Sequence, residues 1–266
     1  MTIAEIPKYS YSLFSLYYCI IDLLGYNYCC DILDWMVRMD NQTRENTSFM
    51  GVLTGDIVRS SSLDNDRRKK LFDSLLELSI LLEDNYSNDI VEKLSKFRGD
   101  SWQLLIKNPG KCLEISLFIR TYIRYKFKTE KLDSRIGIAI GSVDYIPKQN
   151  ISEGFGAAYT ISGELLDSLK KTRMSIRIES GLENKYSPFL TSLTNATDAI
   201  ITSWTAAQCQ VVFWSLQKMT QTQISERWQP APIAQSSVAK HLKAAQWYYI
   251  KETLAVFESS MNLLVN

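Results

Sequence analysis

The first strong strand signal in this chain is Met50-Gly51-Val52-Leu53-Thr54-Gly55-Asp56-Ile57-Val58. The run is short and apolar, and a Gly-Asp pair stands near its end, a pattern typical of a buried strand that leads into a turn. From this strand to about Gly181, apolar runs alternate with stretches that have helical spacing. This strand, together with the strands and helices that alternate after it, therefore decides the predicted fold.

The stretches follow one another in the order strand, helix, strand, strand, helix, strand, helix, strand. Their predicted bounds are Met50–Val58, Leu63–Glu83, the hairpin Lys96–Ile106, Lys111–Phe127, Arg135–Tyr145, Gly156–Lys171 and Met174–Ile178. This order predicts an α+β fold, a ferredoxin-like split βαβ sheet with its helices on one face.

Four segments are predicted along the chain. Residues 1–49 form an N-terminal extension, helical or poorly ordered, and residues 50–181 form the sheet domain. Residues 182–196, rich in Ser, Thr and Asn, are predicted to be a linker, and residues 197–266 an all-helical domain.

The stretch Tyr9–Val37 is rich in Tyr, Cys and Leu, which raises the question of a membrane segment. Asp22, Asp31 and Asp34 interrupt it, so no run of about 18 uncharged apolar residues remains. We therefore expect an accessory helical segment without membrane contact. Alternatively, Met50 is the natural start and the upstream residues are an extension.

The composition excludes several classes of protein. With 45% hydrophobic residues the chain is not disordered, and 30 basic against 29 acidic residues give no bulk charge for binding nucleic acid. The five Cys are an odd number without a disulfide or metal-ligand pattern, which indicates a reducing, cytoplasmic compartment. Because His241 is the only histidine, enzymatic chemistry here would depend on carboxylates.

Two carboxylates are the candidate functional groups of the sheet domain. Asp56 follows Gly55 at the end of the first strand, and Asp100 follows Gly99 in the turn of the hairpin. The first strand and the hairpin are neighbours in a split βαβ sheet, so we expect the two side chains to face each other. Such a pair suits Mg²⁺ (or Mn²⁺) accompanied by phosphate oxygens, and the glycines permit close approach of a triphosphate. The alternative is that both Gly-Asp pairs are ordinary turns.

Three segments of this domain resemble, in order and spacing, the core motifs of class III nucleotidyl cyclases, and most closely their bacterial SatD-like branch. The segments are Leu53-Thr54-Gly55-Asp56-Ile57-Val58, Lys96-Phe97-Arg98-Gly99-Asp100-Ser101 and Arg135-Ile136-Gly137-Ile138-Ala139-Ile140-Gly141. In that branch a cyclase-like domain is followed by a helix-turn-helix.

The resemblance implies a set of site residues. Asp56 and Asp100 would be metal ligands, together with the backbone carbonyl of Ile57. Lys96 stands at the position that reads the purine base in adenylyl-type cyclases, with a solvated strand lysine as the alternative, and Gly99 lies in the turn beside the nucleotide.

One helix departs from the pattern of cyclising family members, which carry an Asn for the ribose and an Arg for the phosphates. Alignment of Gly156-Ala157-Ala158-Tyr159-Thr160-Ile161-Ser162-Gly163-Glu164-Leu165 puts Thr160 at the Asn position and Glu164 at the Arg position. Thr160 can still bond a ribose hydroxyl, whereas Glu164 would repel a triphosphate. We therefore expect inefficient cyclisation unless Lys170, Lys171 or Arg173 supplies the charge.

The C-terminal segment carries Met219-Thr220-Gln221-Thr222-Gln223-Ile224-Ser225-Glu226 and then Ala234-Gln235-Ser236-Ser237-Val238-Ala239-Lys240-His241-Leu242. These two stretches resemble the helix-turn-helix of sigma-like and MarR-like regulators. Thr205 with Gln208, and Thr220 with Gln223, fit the capping box that starts a helix. The exposed start of the second helix of the motif would carry the DNA-binding side chains, which are Gln235, Ser236, Ser237 and Lys240. A helix pair that serves only protein contacts is the alternative.

The main functional hypothesis is a cytoplasmic, homodimeric, DNA-binding transcriptional regulator whose cyclase-like domain binds a purine nucleotide with Mg²⁺. The alternative is an active nucleotidyl cyclase or nucleotidyltransferase that produces a nucleotide signal. A domain that binds no nucleotide and acts as a scaffold is the third reading.

Overall fold

The computed structural model describes residues 49–147, 151–180 and 187–265. All described residues belong to one compact unit, which spans Ser48–Asn266. The predicted N-terminal extension, apart from residue 49, lies outside the described residues.

A five-stranded sheet forms the centre of this unit. Its strands are β1 Phe49–Val58, β2 Ser95–Arg98, β3 Ser101–Ile106, β4 Asp133–Ser142 and β5 Met174–Ile178. Their order across the sheet is β2-β3-β1-β4-β5; β4 and β5 are parallel and the other neighbours are antiparallel. The predicted α+β class and the order of elements are confirmed, with β1 placed between β3 and β4.

The helices alternate with the strands and then continue alone. They are α1 Asn65–Tyr86, α2 Cys112–Lys126, α3 Ala157–Ser168, α4 Ser187–Ser203, α5 Ala206–Leu216, α6 Gln221–Arg227, α7 Gln235–Ala244 and α8 Trp247–Val265. Both predicted capping boxes are present, at the starts of α5 and α6. Among the described helices, none combines the length and the apolar character that a membrane span requires.

The helices of the sheet domain lie on both faces of the sheet, so the prediction of one helical face is wrong. Leu53 and Ile138 face the main core that includes α1 and α2, whereas Val52 packs on the opposite face with Ala158 of α3. Gly137 makes this second layer possible, because a Cβ there would lie 2.5 Å from the carbonyl oxygen of Ser162. The missing side chain lets α3 approach β4 closely.

The predicted linker at residues 182–196 is also wrong for its second half, because residues 187–196 belong to α4. The hydroxyls of Thr194 and Thr197 donate to the carbonyls of Leu190 and Leu193 in the preceding turn, so these polar side chains are satisfied inside the helix. Leu190 is fully buried in the main core. The helix is therefore part of the compact unit and does not separate two bodies.

A buried arginine joins the sheet domain to α4. Arg120 of α2 is fully buried and donates to both carboxylate oxygens of Asp133, at 3.0 and 2.8 Å, and to Asp198 of α4 at 2.6 Å. The other oxygen of Asp198 accepts from the backbone N–H of Arg173, just before β5. One guanidinium thus connects α2, the start of β4 and α4.

Candidate functional site

The structure brings the two predicted aspartates to the same place. The β2–β3 turn, with Gly99 in a left-handed conformation (φ 60°), carries Asp100 to the carboxyl-terminal end of β1. There the Asp100 carboxylate accepts a hydrogen bond from the backbone N–H of Ile57 at 3.2 Å, one residue from Asp56. We call Asp56, Ile57 and Asp100 the aspartate site.

Arg135 of β4 neutralises Asp56. Its Nε donates to one carboxylate oxygen of Asp56 at 3.0 Å and its Nη2 to the other, and its Nη1 donates to the carbonyl of Leu169. The hydrogen bond with Asp56 raises the pKa of the Arg135 guanidinium, and the negative charges of Asp56, Asp167 and Asp100 act in the same direction. The guanidinium is therefore the internal counter-ion of an acidic region.

Two contacts fix the backbone at Gly55 and Asp56, a hydrogen bond from Ser134 and the packing of Trp102. The hydroxyl of Ser134 donates to the carbonyl of Asp56 at 2.7 Å and accepts from the indole N–H of Trp102 at 3.2 Å. The ring of Trp102 lies where a side chain of Gly55 would be, since a Cβ there would be 2.3 Å from Cζ2. A glycine before the aspartate is thus required by packing, within strand β1.

A buried chain of polar side chains connects β3, β1 and α3 on the face of the sheet that α3 covers. The amide of Gln103 donates to the hydroxyl of Thr54 at 2.9 Å, and the hydroxyls of Thr54 and Ser162 lie 2.7 Å apart. This chain fixes α3 to the strand that carries Asp56. Sequence reasoning missed these residues and Arg135, although Arg135 opens the third cyclase-like segment.

On α3, both the predicted ribose contact Thr160 and the divergent residue Glu164 are accessible. Thr160 is exposed, and Glu164, whose side chain is 63% exposed, faces Arg177 of β5 with 3.4 Å between Oε2 and Nη1. Arg177 therefore partly offsets the charge of Glu164.

Lys96 does not join the aspartate site. It pairs with Trp102 in the hairpin, and its Nζ lies 3.3 Å from the centroid of the Phe72 ring on α1. That is the face of α1 and α2, opposite to α3. In this structure Lys96 contacts Phe72 and not the aspartate site, and its role as a reader of the purine base stays a prediction.

The aspartate site fits a divalent cation that arrives with a nucleotide. Within the described ranges, no group of three or more His, Cys, Asp or Glu side chains could hold a metal by itself. Mg²⁺ characteristically takes one or two carboxylates and completes its shell with phosphate oxygens and water. Asp56 and Asp100 supply the two carboxylates, and the carbonyl of Ile57 leaves the strand on the side of Asp100, as its N–H does.

Comparison with protein families identifies the chain. The SatD family matches residues 50–260, which run from β1 into α8. The chain belongs to the SatD family. Because the match includes the sheet and the C-terminal helices, both parts belong to the family's common architecture.

The solved structures similar to this SatD-family chain include nucleotidyl cyclases. The guanylyl cyclase Cya2 has 14% sequence identity and a TM-score of 0.39, with 49% of this chain and 75% of Cya2 covered. A bacterial light-regulated adenylyl cyclase has 15% identity and a TM-score of 0.37, with 49% and 43% covered. No curated protein matches the chain.

The packing of Gly55 against Trp102 gives a stability prediction. We expect Gly55→Ala to lower the free energy of unfolding by about 1–3 kcal/mol, because the new Cβ overlaps the Trp102 ring and the carbonyl of Arg135. Gly163→Ala in α3 is the matched control, since nothing lies within 4 Å of its Cβ position, and should stabilise the helix by about 0.5–1 kcal/mol. Urea denaturation measures both, and equal stability of Gly55→Ala and the wild type would contradict the packing described here.

Proposed function

We propose that the aspartate site binds a purine nucleoside triphosphate together with Mg²⁺ or Mn²⁺. The observation that carries this proposal is the hydrogen bond from the Ile57 N–H to Asp100, which sets a second carboxylate beside Asp56. Two carboxylates at the end of a central strand, with an open glycine turn at Gly99, form the site that a metal–triphosphate complex requires.

Each group of the site has a defined task in this proposal. Asp56 and Asp100 hold the metal with the Ile57 carbonyl, Gly99 leaves room for the phosphates, and Thr160 bonds the ribose. When bound, the metal neutralises phosphate charge and activates a hydroxyl for attack. While no metal is bound, the guanidinium of Arg135 neutralises the carboxylate of Asp56. Once Asp56 holds the metal instead, this guanidinium faces the anionic phosphates.

Nucleotide binding is tested by titration calorimetry with ATP and GTP in the presence of Mg²⁺. Asp56→Asn and Asp100→Asn should each weaken binding at least about thirtyfold, because each removes a metal-holding charge. The Asp56–Arg135 pair is partly exposed, with 19% and 33% of the two side chains accessible, so Asp56→Asn should change the free energy of unfolding by no more than about 1 kcal/mol.

Asp84→Asn, which removes an exposed carboxylate of α1, is the matched control and should bind as the wild type does. Equal binding by all three variants, or no binding of either nucleotide, would refute the proposed site.

An active cyclase is the second candidate for the same site. The observation that favours it is Arg177, whose guanidinium stands beside Glu164 and restores a positive group near the position of the family's arginine. Incubation with each nucleoside triphosphate and Mg²⁺ or Mn²⁺ separates the candidates. A cyclic or linked product that disappears in Asp56→Ala supports the enzyme, whereas binding without product supports the regulator.

We also propose that helices α6 and α7 form the DNA-binding helix-turn-helix of a transcriptional regulator. Ile224 and Val238 are fully buried between the helices, and the rings of Trp228 and His241 stack at 5.2 Å. The turn is fastened by the N–H of Ile233, which donates to the carbonyl of Ser225 at 3.0 Å. This packing supports a rigid presentation of α7.

The outward side of α7 supports the same proposal. Gln235, Ser236 and Lys240 are exposed, whereas Ser237 is half-buried, and the amide of Gln235 is oriented by Gln221 of α6. The start of α7 has no side-chain cap, so its backbone N–H groups remain available to a phosphate.

A homodimer would let two such helices read two half-sites. Tyr249, Val256 and Leu263 recur every seven residues on the exposed face of α8 and support pairing of that helix with a second copy.

DNA binding is tested with the promoter region of the protein's own gene in a gel-shift assay at several salt concentrations. The double variant Gln235→Ala with Lys240→Ala should abolish the specific shift, because it removes a base-contacting and a phosphate-contacting side chain. Lys251→Ala removes a charge from α8 instead and should leave the shift unchanged. Unaltered binding by the double variant would refute the assignment of α7 as the reading helix.

A further inference from the structure

A concave cleft lies on the side of the sheet that α1 and α2 cover. The cleft has a volume of about 460 Å³ and is bounded by α1, α2, α5 and the end of α6. This volume is within the range of about 300–1,000 Å³ that is usual for small-molecule sites. The cleft therefore has the size for an organic ligand.

The rim of the cleft is strongly basic. Lys70, Lys126, Lys128 and Arg227 line it, against the single carboxylate of Glu77. Glu77 is already paired with Lys126, whose Nζ lies 2.8 Å from Oε2. Among the residues that the structure describes, no ion pair involves the other three cations. Three basic groups around one cavity favour an anionic occupant.

The inner wall of the cleft is aromatic. Phe213 and Trp214 of α5 are buried there and pack against Tyr125, with ring centroids 5.2 and 6.1 Å from that of Tyr125. Burial raises the pKa of Tyr125 to about 12, so its hydroxyl keeps its proton at neutral pH. Flat apolar side chains behind a basic rim suit a planar ring that bears an acidic group.

An unpaired donor completes the site. Gln210 of α5 lines the cleft and is only 7% exposed, yet its amide nitrogen has no hydrogen-bond partner among the described residues. A buried donor without a partner costs about 1–3 kcal/mol. This nitrogen is closed off from solvent, so an acceptor group of a ligand would remove the cost once the Gln210 side chain turns toward the cleft.

We propose that this cleft binds a planar organic anion, an aromatic ring that carries a phosphate, sulfonate or carboxylate group. Lys70, Lys128 and Arg227 hold the acidic group, Gln210 donates to an acceptor atom, and the ring lies against the aromatic wall. The inference is independent of the proposed function of the aspartate site.

A ligand in the cleft would lie beside the turn between α6 and α7. Arg227 is the last residue of α6, and Gln229, which also lines the cleft, belongs to the turn that leads to α7. The other walls belong to α1 and α2 of the sheet domain and to α5. A bound anion therefore bridges the sheet domain and the turn between α6 and α7.

The test uses 8-anilinonaphthalene-1-sulfonate as the probe, with the full chain in EDTA so that no metal–nucleotide complex contributes. Fluorescence titration should show one saturable site, weakened by salt. Lys70→Glu and Arg227→Glu should each weaken binding at least about tenfold by placing a negative charge at the rim. Lys69→Glu, one residue away on α1 and outside the cleft, should bind within about twofold of the wild type.

Gln210→Leu gives an independent readout. It should raise the melting temperature, because the unpaired donor is removed, and at the same time weaken binding of the probe. A Gln210 that is only structural would give a lower melting temperature with unchanged binding. That result, the absence of saturable binding, or equal binding by the three charge-reversal variants would overturn the proposal.

Discussion

The arrangement of the whole unit depends on the buried guanidinium of Arg120. It neutralises Asp133 at the start of β4 and Asp198 of α4, and Asp198 in turn accepts from the backbone before β5. Removing one partner of such a buried network typically costs about 3–5 kcal/mol, because a charge is left buried without compensation. The sheet and the first of the C-terminal helices are therefore fixed to each other by one set of hydrogen bonds.

The same network leads directly to the aspartate site. Asp133 is followed by Ser134, which holds the carbonyl of Asp56, and by Arg135, which holds its carboxylate. The position of β4 thus determines both the geometry and the charge balance at the end of β1. In the proposed function, a change of cation at Asp56 would act on Arg135, which lies two residues after Asp133 of the ion pair that anchors α4.

Much of the sheet domain could be predicted from the sequence. The order of elements follows from hydrophobic periodicity, and the meeting of Asp56 with Asp100 follows from a strand end and a hairpin turn that neighbour each other in a split βαβ sheet. These features depend on local sequence patterns and on the order of the elements, and both can be derived from a single sequence.

Other features depend on contacts between residues distant in sequence. The second helical layer exists because Gly137 leaves room for α3 against β4. A glycine in the sequence does not by itself show which helix will pack against its strand. The contact of Lys96 with Phe72 of α1 likewise joins residues that are distant in sequence. Thr191 and Thr194 contributed to the linker-like composition of residues 182–196, although both side chains bond within their helix.

The central claim is that Asp56 and Asp100 together hold a metal–nucleotide complex, with Arg135 as the counter-ion in its absence. The most direct measurement is a crystal structure with Mn²⁺ and α,β-methylene ATP, with Mn²⁺ located by its anomalous scattering. The account predicts an anomalous peak in bonding contact with both carboxylates and the guanidinium of Arg135 turned toward the phosphates. An Asp56–Arg135 pair that stays intact while the nucleotide binds elsewhere would contradict it.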